Sequence, residues 1–119
     1  MPTLAPVYRY KARCLRIIDA DTLDVEVDLG FRTHIRTPLR LLGLNAPERN
    51  TEAGHRAIEW VATWIAKTGL ATNLVIDSAK PGDWSGDKYG RWLATVWDEQ
   101  GRCLNAELLA AGHAVPMAG

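Results

Sequence analysis

The strictest constraint on the fold is the segment from Leu23 to Leu29, in which apolar and acidic residues alternate. A period of two puts successive side chains on opposite faces of a strand, so the segment predicts a β-strand with one buried and one solvated face. Gly30 ends the alternation and predicts a hairpin turn, after which Phe31–Leu44 continues as a return strand. Pro38 within that strand predicts an edge or a bulge, and a bent, bulged strand suits a small closed barrel.

A helix is predicted after this hairpin, with Asn50 or Thr51 as its N-cap and Gly69 at its end. Its apolar residues recur at helical spacing, which favours packing in the core over a platform for stacking bases. These residues are Ala57, Trp60, Val61, Trp64 and Ile65.

The remaining patterns predict strands at 71–78 and 92–97 and a short helix at 104–111 that is closed by Gly112. With Tyr8–Ile18 as the first strand, the chain has five strands and two helices, one of them between the third and fourth strands. This order predicts a β-rich α+β fold, a five-stranded barrel of the OB type.

The 119 residues, 47% of them hydrophobic, are enough for one core, so we expect a single domain over 1–119. Neither a signal peptide nor an apolar run of 18 residues is visible, which predicts a cytoplasmic protein without a membrane partner, or a secreted one if the sequence is a trimmed mature form. The formal net charge of zero predicts weak, salt-sensitive binding to nucleic acid. Two distant cysteines, Cys14 and Cys103, are expected to be buried free thiols.

Two acidic residues, Asp19 and Asp21, fall at the predicted turn between the first two strands, where their oxygens can coordinate a hard cation. The alternative is an Asx turn, in which both carboxylates bind only backbone amides. Glu48 follows Pro47 and precedes the first helix, so it is either a general base or a first-turn acid that complements the helix dipole.

The arginines Arg40 and Arg91 can donate planar, permanently charged hydrogen bonds to a phosphate, and their alternative role is a surface ion pair. Lys88 and Tyr89 precede Arg91 in a polar loop that is rich in glycine. A solvated loop is an equally good interpretation of that run. Carboxylates for a metal, a further carboxylate for a proton and two arginines for a phosphate are together what phosphodiester hydrolysis requires.

Four stretches, Asp19–Thr22, Arg40–Glu48, Asp87–Arg91 and Leu104–Leu109, have an order and spacing that resemble the thermonuclease family, also called staphylococcal-nuclease-like domains. The resemblance extends from about Lys11 to about Val115. It implies a five-stranded OB-fold barrel with helices. The family's usual third, C-terminal helix has no counterpart before Gly119, so we expect a version with two helices.

The same resemblance implies a Ca²⁺ site in which Asp21 is a direct ligand. Asp19 does not bind the ion itself but lies next to the residues that do. The other ligands fall on the Asn45 side chain and the backbone carbonyl of Ala46. Asn45 departs from the family, which is acidic at this position. An amide oxygen can bind Ca²⁺, but one negative charge is lost, so we expect a weaker site or a preference for another divalent ion.

The resemblance further implies that Glu48 activates the attacking water and that Arg40 and Arg91 bind the scissile phosphate. Lys88 and Tyr89 would contact a neighbouring phosphate of the bound strand. We therefore expect a monomeric, calcium-dependent endonuclease that hydrolyses DNA or RNA with little sequence preference and favours single-stranded regions. The alternative is a non-catalytic OB-fold module that binds nucleic acid or a protein.

Overall fold

A computed structural model describes residues 7–67, 74–78 and 92–117. The elements are, in chain order, β1 (Arg9–Asp19), β2 (Thr22–Asp28), β3 (His34–Leu41), β4 (Leu44–Asn45), α1 (Glu52–Lys67), β5 (Leu74–Ser78), β6 (Trp92–Asp98), α2 (Leu104–Ala110) and β7 (Val115–Pro116). Five strands close into a barrel in the order β1-β2-β3-β6-β5, and β4 pairs with β7 in a separate two-stranded sheet. The predicted five-stranded barrel with two helices is confirmed.

The apolar residues of the alternating segment in β2 form part of the interior of the barrel. Leu23 and Val25 are fully buried and Val27 is 3% exposed, because the inner face of β2 is the barrel core. Helix α1 adds Ala57, Val61 and Trp64 to the same core, whereas Trp60 is only partly buried against it. The helical tryptophans thus pack mainly inward, as predicted. Trp64 also donates its indole N–H to Glu107 Oε1 at 3.1 Å, which ties α1 to α2.

The described structure has no bulge at Pro38, and the register shifts of the barrel lie in another strand. Pro38 pairs with Asp24 of β2 in regular register, and the register shifts occur in the second half of β1. Among the described residues, β6 pairs with β3 only over Leu39–Leu41. Any pairing of Pro38 on the β6 side would involve residues outside the described ranges, so the edge stays a prediction. The alternative of a bulge at Pro38 is wrong, because its pairing with Asp24 shows no register shift.

The predicted turns and caps are confirmed with altered extents. Gly30 has a φ of 77°, and the left-handed conformation continues through Phe31 at 54° and Arg32 at 60°, so the hairpin turn is longer than predicted. Thr51, not Asn50, caps α1: its hydroxyl accepts the Gly54 N–H at 3.0 Å. The predicted helix end at Gly69 lies outside the described residues. No helix in the described ranges has the length and apolar character needed to cross a membrane.

Both cysteines are free and partly buried, so the prediction of free thiols is confirmed and their burial is less complete than expected. The pKa of the Cys14 thiol is raised, first by burial and secondarily by the nearby Asp24 carboxylate.

Asn105 on α2 links three parts of the fold near the end of β3. Its side-chain oxygen accepts the Val96 N–H at 3.0 Å, and its amide group donates to the carbonyls of Leu42 at 3.0 Å and Ala94 at 3.2 Å. The side chain is 7% exposed, so water cannot readily replace these partners. Asn105 therefore holds α2, β6 and the segment that follows β3 in one arrangement.

We predict that Asn105→Ala lowers the free energy of unfolding by about 2–3 kcal/mol, because buried backbone groups lose their partners. Urea denaturation of the variant, followed by tryptophan fluorescence, measures this loss. Asn50→Ala, which removes an exposed asparagine side chain, is the control and should change the unfolding free energy by less than about 0.5 kcal/mol. Equal stability of the two variants would contradict a linking role for Asn105.

Candidate active site

The β1–β2 turn brings the Asp21 carboxylate against the segment that follows β3. One carboxylate oxygen, Oδ2, accepts the Ala46 N–H at 2.9 Å, and the other accepts the Thr22 hydroxyl at 3.0 Å. The backbone carbonyl of Asp21 accepts the Leu41 N–H at 2.8 Å. Asp21 is 7% exposed, and its backbone and side chain are both fixed. The hydrogen bonds of Asp21 therefore hold the β1–β2 turn against the segment that follows β3.

The Arg40 guanidinium lies at the centre of this cluster. Its Nη2 is 3.5 Å from Asp21 Oδ2 and 3.1 Å from the Leu44 carbonyl oxygen, and it also donates to Asn45 Oδ1 in a short contact. The side chain is 13% exposed. Its Nε is buried and meets no acceptor among the described residues. Arg40 is thus an inward-facing cation with one unsatisfied donor, which does not fit the alternative of a surface ion pair.

The small β4–β7 sheet carries Asn45. Asn45 pairs with Val115 of β7, and the Met117 N–H donates to the Gly43 carbonyl at 2.9 Å. Residues 115–117 therefore hold the segment that carries the Asn45 side chain. This pairing could not be predicted from the sequence, because two-residue strands are too short to show a period.

Glu48 lines an open cleft of about 330 Å³ together with Asp19, Arg49 and Asn50. Asp19 accepts the Arg49 N–H at 2.9 Å through Oδ1, so the residue next to Glu48 is fixed to the end of β1. The contacts described for Glu48 itself are made by its backbone carbonyl, and the residue is exposed. Its carboxylate is therefore accessible from the cleft.

The oxygens around Arg40 Nη2 have the chemistry that a hard cation requires. A carboxylate, a backbone carbonyl and an amide side chain converge on one positively charged atom, and Ca²⁺ takes the same classes of oxygen ligand. Within the described ranges, no cluster of three or more His, Cys, Asp or Glu residues could hold a metal. In the described residues these oxygens contact the Arg40 guanidinium, so a divalent cation held by Asp21 and Asn45 stays a prediction.

Two predicted features stand apart from this geometry. The contact that Ala46 makes with Asp21 uses its N–H, and the carbonyl that faces the cluster is that of Leu44, so the Ala46 carbonyl stays a prediction. Arg91, Lys88 and Tyr89 lie outside the described residues. The second arginine and the contacts to a neighbouring phosphate therefore stay predictions as well.

A larger groove of about 380 Å³ lies between α1 and α2 and contains none of the predicted site residues. Its main charged groups already have partners: Arg102 pairs with Asp98, Arg56 with Glu52, and Glu107 accepts the Trp64 indole N–H. The smaller cleft at Glu48 is the better candidate for chemistry, because two predicted site residues, Asp19 and Glu48, line it and Glu48 is exposed.

Two basic residues of β1 form ion pairs with acidic residues on the neighbouring strands, so their charges do not add up to a continuous positive face. Arg9 pairs with Asp77 at 2.8 Å and Arg13 pairs with Glu26 at 3.2 Å. Glu26 lies on β2 and Asp77 on β5, the two strands that flank β1. Among the described residues of the site, the positive charges are Arg40, which contacts Asp21, and the exposed Arg49, which lines the cleft.

Comparisons with known proteins agree with this arrangement. The family model described as "Staphylococcal nuclease homologue" matches residues 38–118, a range that includes Arg40, Asn45 and Glu48 and begins after Asp21. The chain is 31% identical to "Protein ParB" of Escherichia coli over 87% of this chain and 55% of that protein. It is 28% identical to an "Uncharacterized endonuclease" of Escherichia coli O157:H7 over 86% of this chain and 58% of that protein.

The chain thus spans a little over half the length of these curated relatives. The family match covers more than half of the chain and extends from within β3 through both helices, so it includes Arg40 and Asn45 but not β1, β2 or Asp21. The chain belongs to the staphylococcal nuclease homologue family.

Proposed function

We propose that this chain is a nuclease that hydrolyses phosphodiester bonds in DNA or RNA. The observation that carries the proposal is the contact of the Arg40 guanidinium with Asp21 and Asn45. The predicted residues Asp19 and Glu48, each close in sequence to a member of this cluster, line one cleft together. Membership of the nuclease homologue family and the name "Uncharacterized endonuclease" of one relative support the same activity. We further propose low sequence preference, a preference for single strands and a monomeric state.

In the proposed reaction, Glu48 takes a proton from a water molecule as the water oxygen attacks phosphorus. The bond from phosphorus to the 5′ oxygen breaks, the leaving oxygen is protonated, and the product carries a 3′-phosphate. Arg40 donates hydrogen bonds to the phosphate oxygens on which charge grows in the transition state. Arg91 is proposed to assist from the neighbouring loop.

We propose Ca²⁺ as the cofactor, held by Asp21 and Asn45 with a backbone carbonyl and supported by Asp19. When bound, a divalent cation neutralises phosphate charge and orients the substrate. Because Asn45 brings no charge, the affinity is expected to be lower than with an acid at this position. Binding of the ion by these oxygens would require the Arg40 guanidinium to leave them, because its Nη2 contacts Asp21, Asn45 and the Leu44 carbonyl in this structure.

The effect of Asn45 gives a direct prediction. We expect Asn45→Asp to lower the half-saturating Ca²⁺ concentration about tenfold, because Ca²⁺ affinity follows the number of ligand charges. The midpoint is read from both the cleavage rate and the Ca²⁺-dependent shift in melting temperature. Asn50→Asp adds the same charge at the rim of the cleft and is the matched control. An equal change in both variants, or no change in either, would mean that Asn45 is not a ligand.

A second candidate function is a non-catalytic OB-fold module that binds nucleic acid or protein. It is favoured by Asn45, which lacks the charge of an acidic ligand, and by the zero net charge of the chain. The inward Arg40 and the accessible Glu48 carboxylate count against it, because binding alone requires neither.

The two functions are separated by incubating single-stranded DNA, duplex DNA and RNA of one sequence with the protein and Ca²⁺. A nuclease shortens all three, the single-stranded DNA faster than the duplex, and mass spectrometry identifies 3′-phosphate ends. Anisotropy of fluorescent oligonucleotides measures binding in parallel. Binding without any shortened product would support the binding module and overturn the nuclease.

A further inference from the structure

The start of helix α1 is built around the backbone of Glu48. The Thr51 hydroxyl donates to the Glu48 carbonyl oxygen at 2.7 Å and accepts the Gly54 N–H at 3.0 Å. The Thr51 N–H donates to the same carbonyl at 3.1 Å. One side chain thus caps the helix and holds the Glu48 carbonyl, so the two cannot move independently.

Gly54 lets this contact form. It lies in the first turns of α1, is buried, and packs directly against the Glu48 backbone. A Cβ at position 54 would lie 1.8 Å from the Glu48 carbonyl oxygen and 2.5 Å from the Glu48 carbonyl carbon. Both atoms belong to the backbone, so they cannot rotate away as a side chain could. Any larger residue must displace Glu48 relative to the helix.

The opposite side of Glu48 is fixed as well. The Arg49 N–H donates to Asp19 Oδ1 at 2.9 Å, and Asp19 and Glu48 line the same cleft. The backbone around Glu48 is therefore held between the end of β1 and the start of α1, although the residue itself is exposed. An exposed carboxylate on a doubly held backbone is a good arrangement for presenting a base to a bound substrate.

We infer that Thr51 and Gly54 are positioning residues for Glu48. They fix the backbone from which the Glu48 carboxylate reaches into the cleft, and they do so without contacting the substrate. The inference rests on the proposed function of Glu48 as a general base. Because a displacement of about 1 Å in a reacting group can cost 100-fold in rate, small shifts at these two residues should be measurable as lost turnover.

The test compares Thr51→Ala, Thr51→Ser and Gly54→Ala with the wild type. We expect kcat to fall about tenfold in Thr51→Ala and about 100-fold in Gly54→Ala, with KM nearly unchanged. Thr51→Ser keeps the hydroxyl and should restore kcat to within about twofold of the wild type. Hydrogen exchange of the Arg49 amide, a readout that needs no activity, should become faster in Thr51→Ala and Gly54→Ala and not in Thr51→Ser.

Ala62→Gly is the control for a merely weaker helix, because it lies on the exposed face of α1 and lowers helix propensity without contacting Glu48. It should keep the wild-type kcat and the wild-type exchange of the Arg49 amide. The inference is overturned if Thr51→Ala and Gly54→Ala match Ala62→Gly in both readouts. If the wild type cleaves nothing, the proposed function fails, and unchanged Arg49 exchange in both variants would then overturn the positioning role separately.

Discussion

Replacing Glu48 with glutamine is expected to reduce kcat by about 100- to 10,000-fold, the range that a positioned general base contributes. Glutamine keeps the length and shape of the side chain but cannot accept the proton of the attacking water. The free energy of unfolding should hardly change, because the residue is exposed and the contacts described for it are made by its carbonyl. Single-turnover cleavage of end-labelled DNA measures the loss.

Glu52→Gln is the matched control for this experiment. Glu52 is also an acid at the start of α1, its side chain is 88% exposed, and it pairs with Arg56 one turn later. If Glu48 only complements the helix dipole, both variants should keep full activity and lose a few tenths of a kcal/mol of stability. Full activity in Glu48→Gln would therefore exclude Glu48 as the base.

The second large effect is expected for Arg40→Lys, in which kcat should fall by about 100- to 1,000-fold, as when a preorganised donor to a transition-state oxyanion is removed. Lysine keeps the charge but not the planar fork, so it cannot meet the Asp21–Asn45 oxygens and a phosphate with fixed donors. The side chain is largely buried, so the melting temperature is measured with the rate to identify any loss of folded protein.

Arg36→Lys on the same strand separates charge from position. Arg36 pairs with Asp24 at 2.7 Å, and its side chain is 67% exposed. Because Asp24 is buried, any loss of stability in this variant is measured as well, but Arg36 contacts none of the predicted site residues in the described structure, so the activity of the folded protein should be kept. Equal activity of the Arg40 and Arg36 variants would place Arg40 in a structural role only.

The sequence predicted the barrel well where local pattern and burial coincide. The alternation around Val25 identified β2 because its inner side chains fill the core, and Thr51 could be named as one of two caps because capping is a local interaction. The bulges of β1 could not be placed, since a register shift depends on the paired strands. The β4–β7 sheet was missed for a similar reason, because its pairing joins segments that are distant in the chain.

The motifs predicted which residues belong to the candidate site, and the fold determines how those residues contact one another. By resemblance, Asp21 and Asn45 were predicted to hold a metal and Arg40 a phosphate; the structure brings the three side chains together, and these roles stay predictions. That the Leu44 carbonyl faces Arg40 could not be predicted, because backbone direction is set by the turn after β3. Asn105 lies in a stretch that supports the resemblance, but its contacts with β6 and with the segment after β3 could not be predicted, because they join distant parts of the chain.

The most direct measurement is the cleavage of end-labelled single-stranded DNA by the wild-type chain after its ions have been removed with a chelator. We predict intact DNA in the chelator, shortened fragments once Ca²⁺ is added in excess, and an arrest of cleavage when the chelator is restored. DNA that stays intact with Ca²⁺ and with Mg²⁺, while anisotropy shows that it is bound, would contradict the nuclease. Cleavage that continues unchanged in the chelator would contradict the role of the divalent cation.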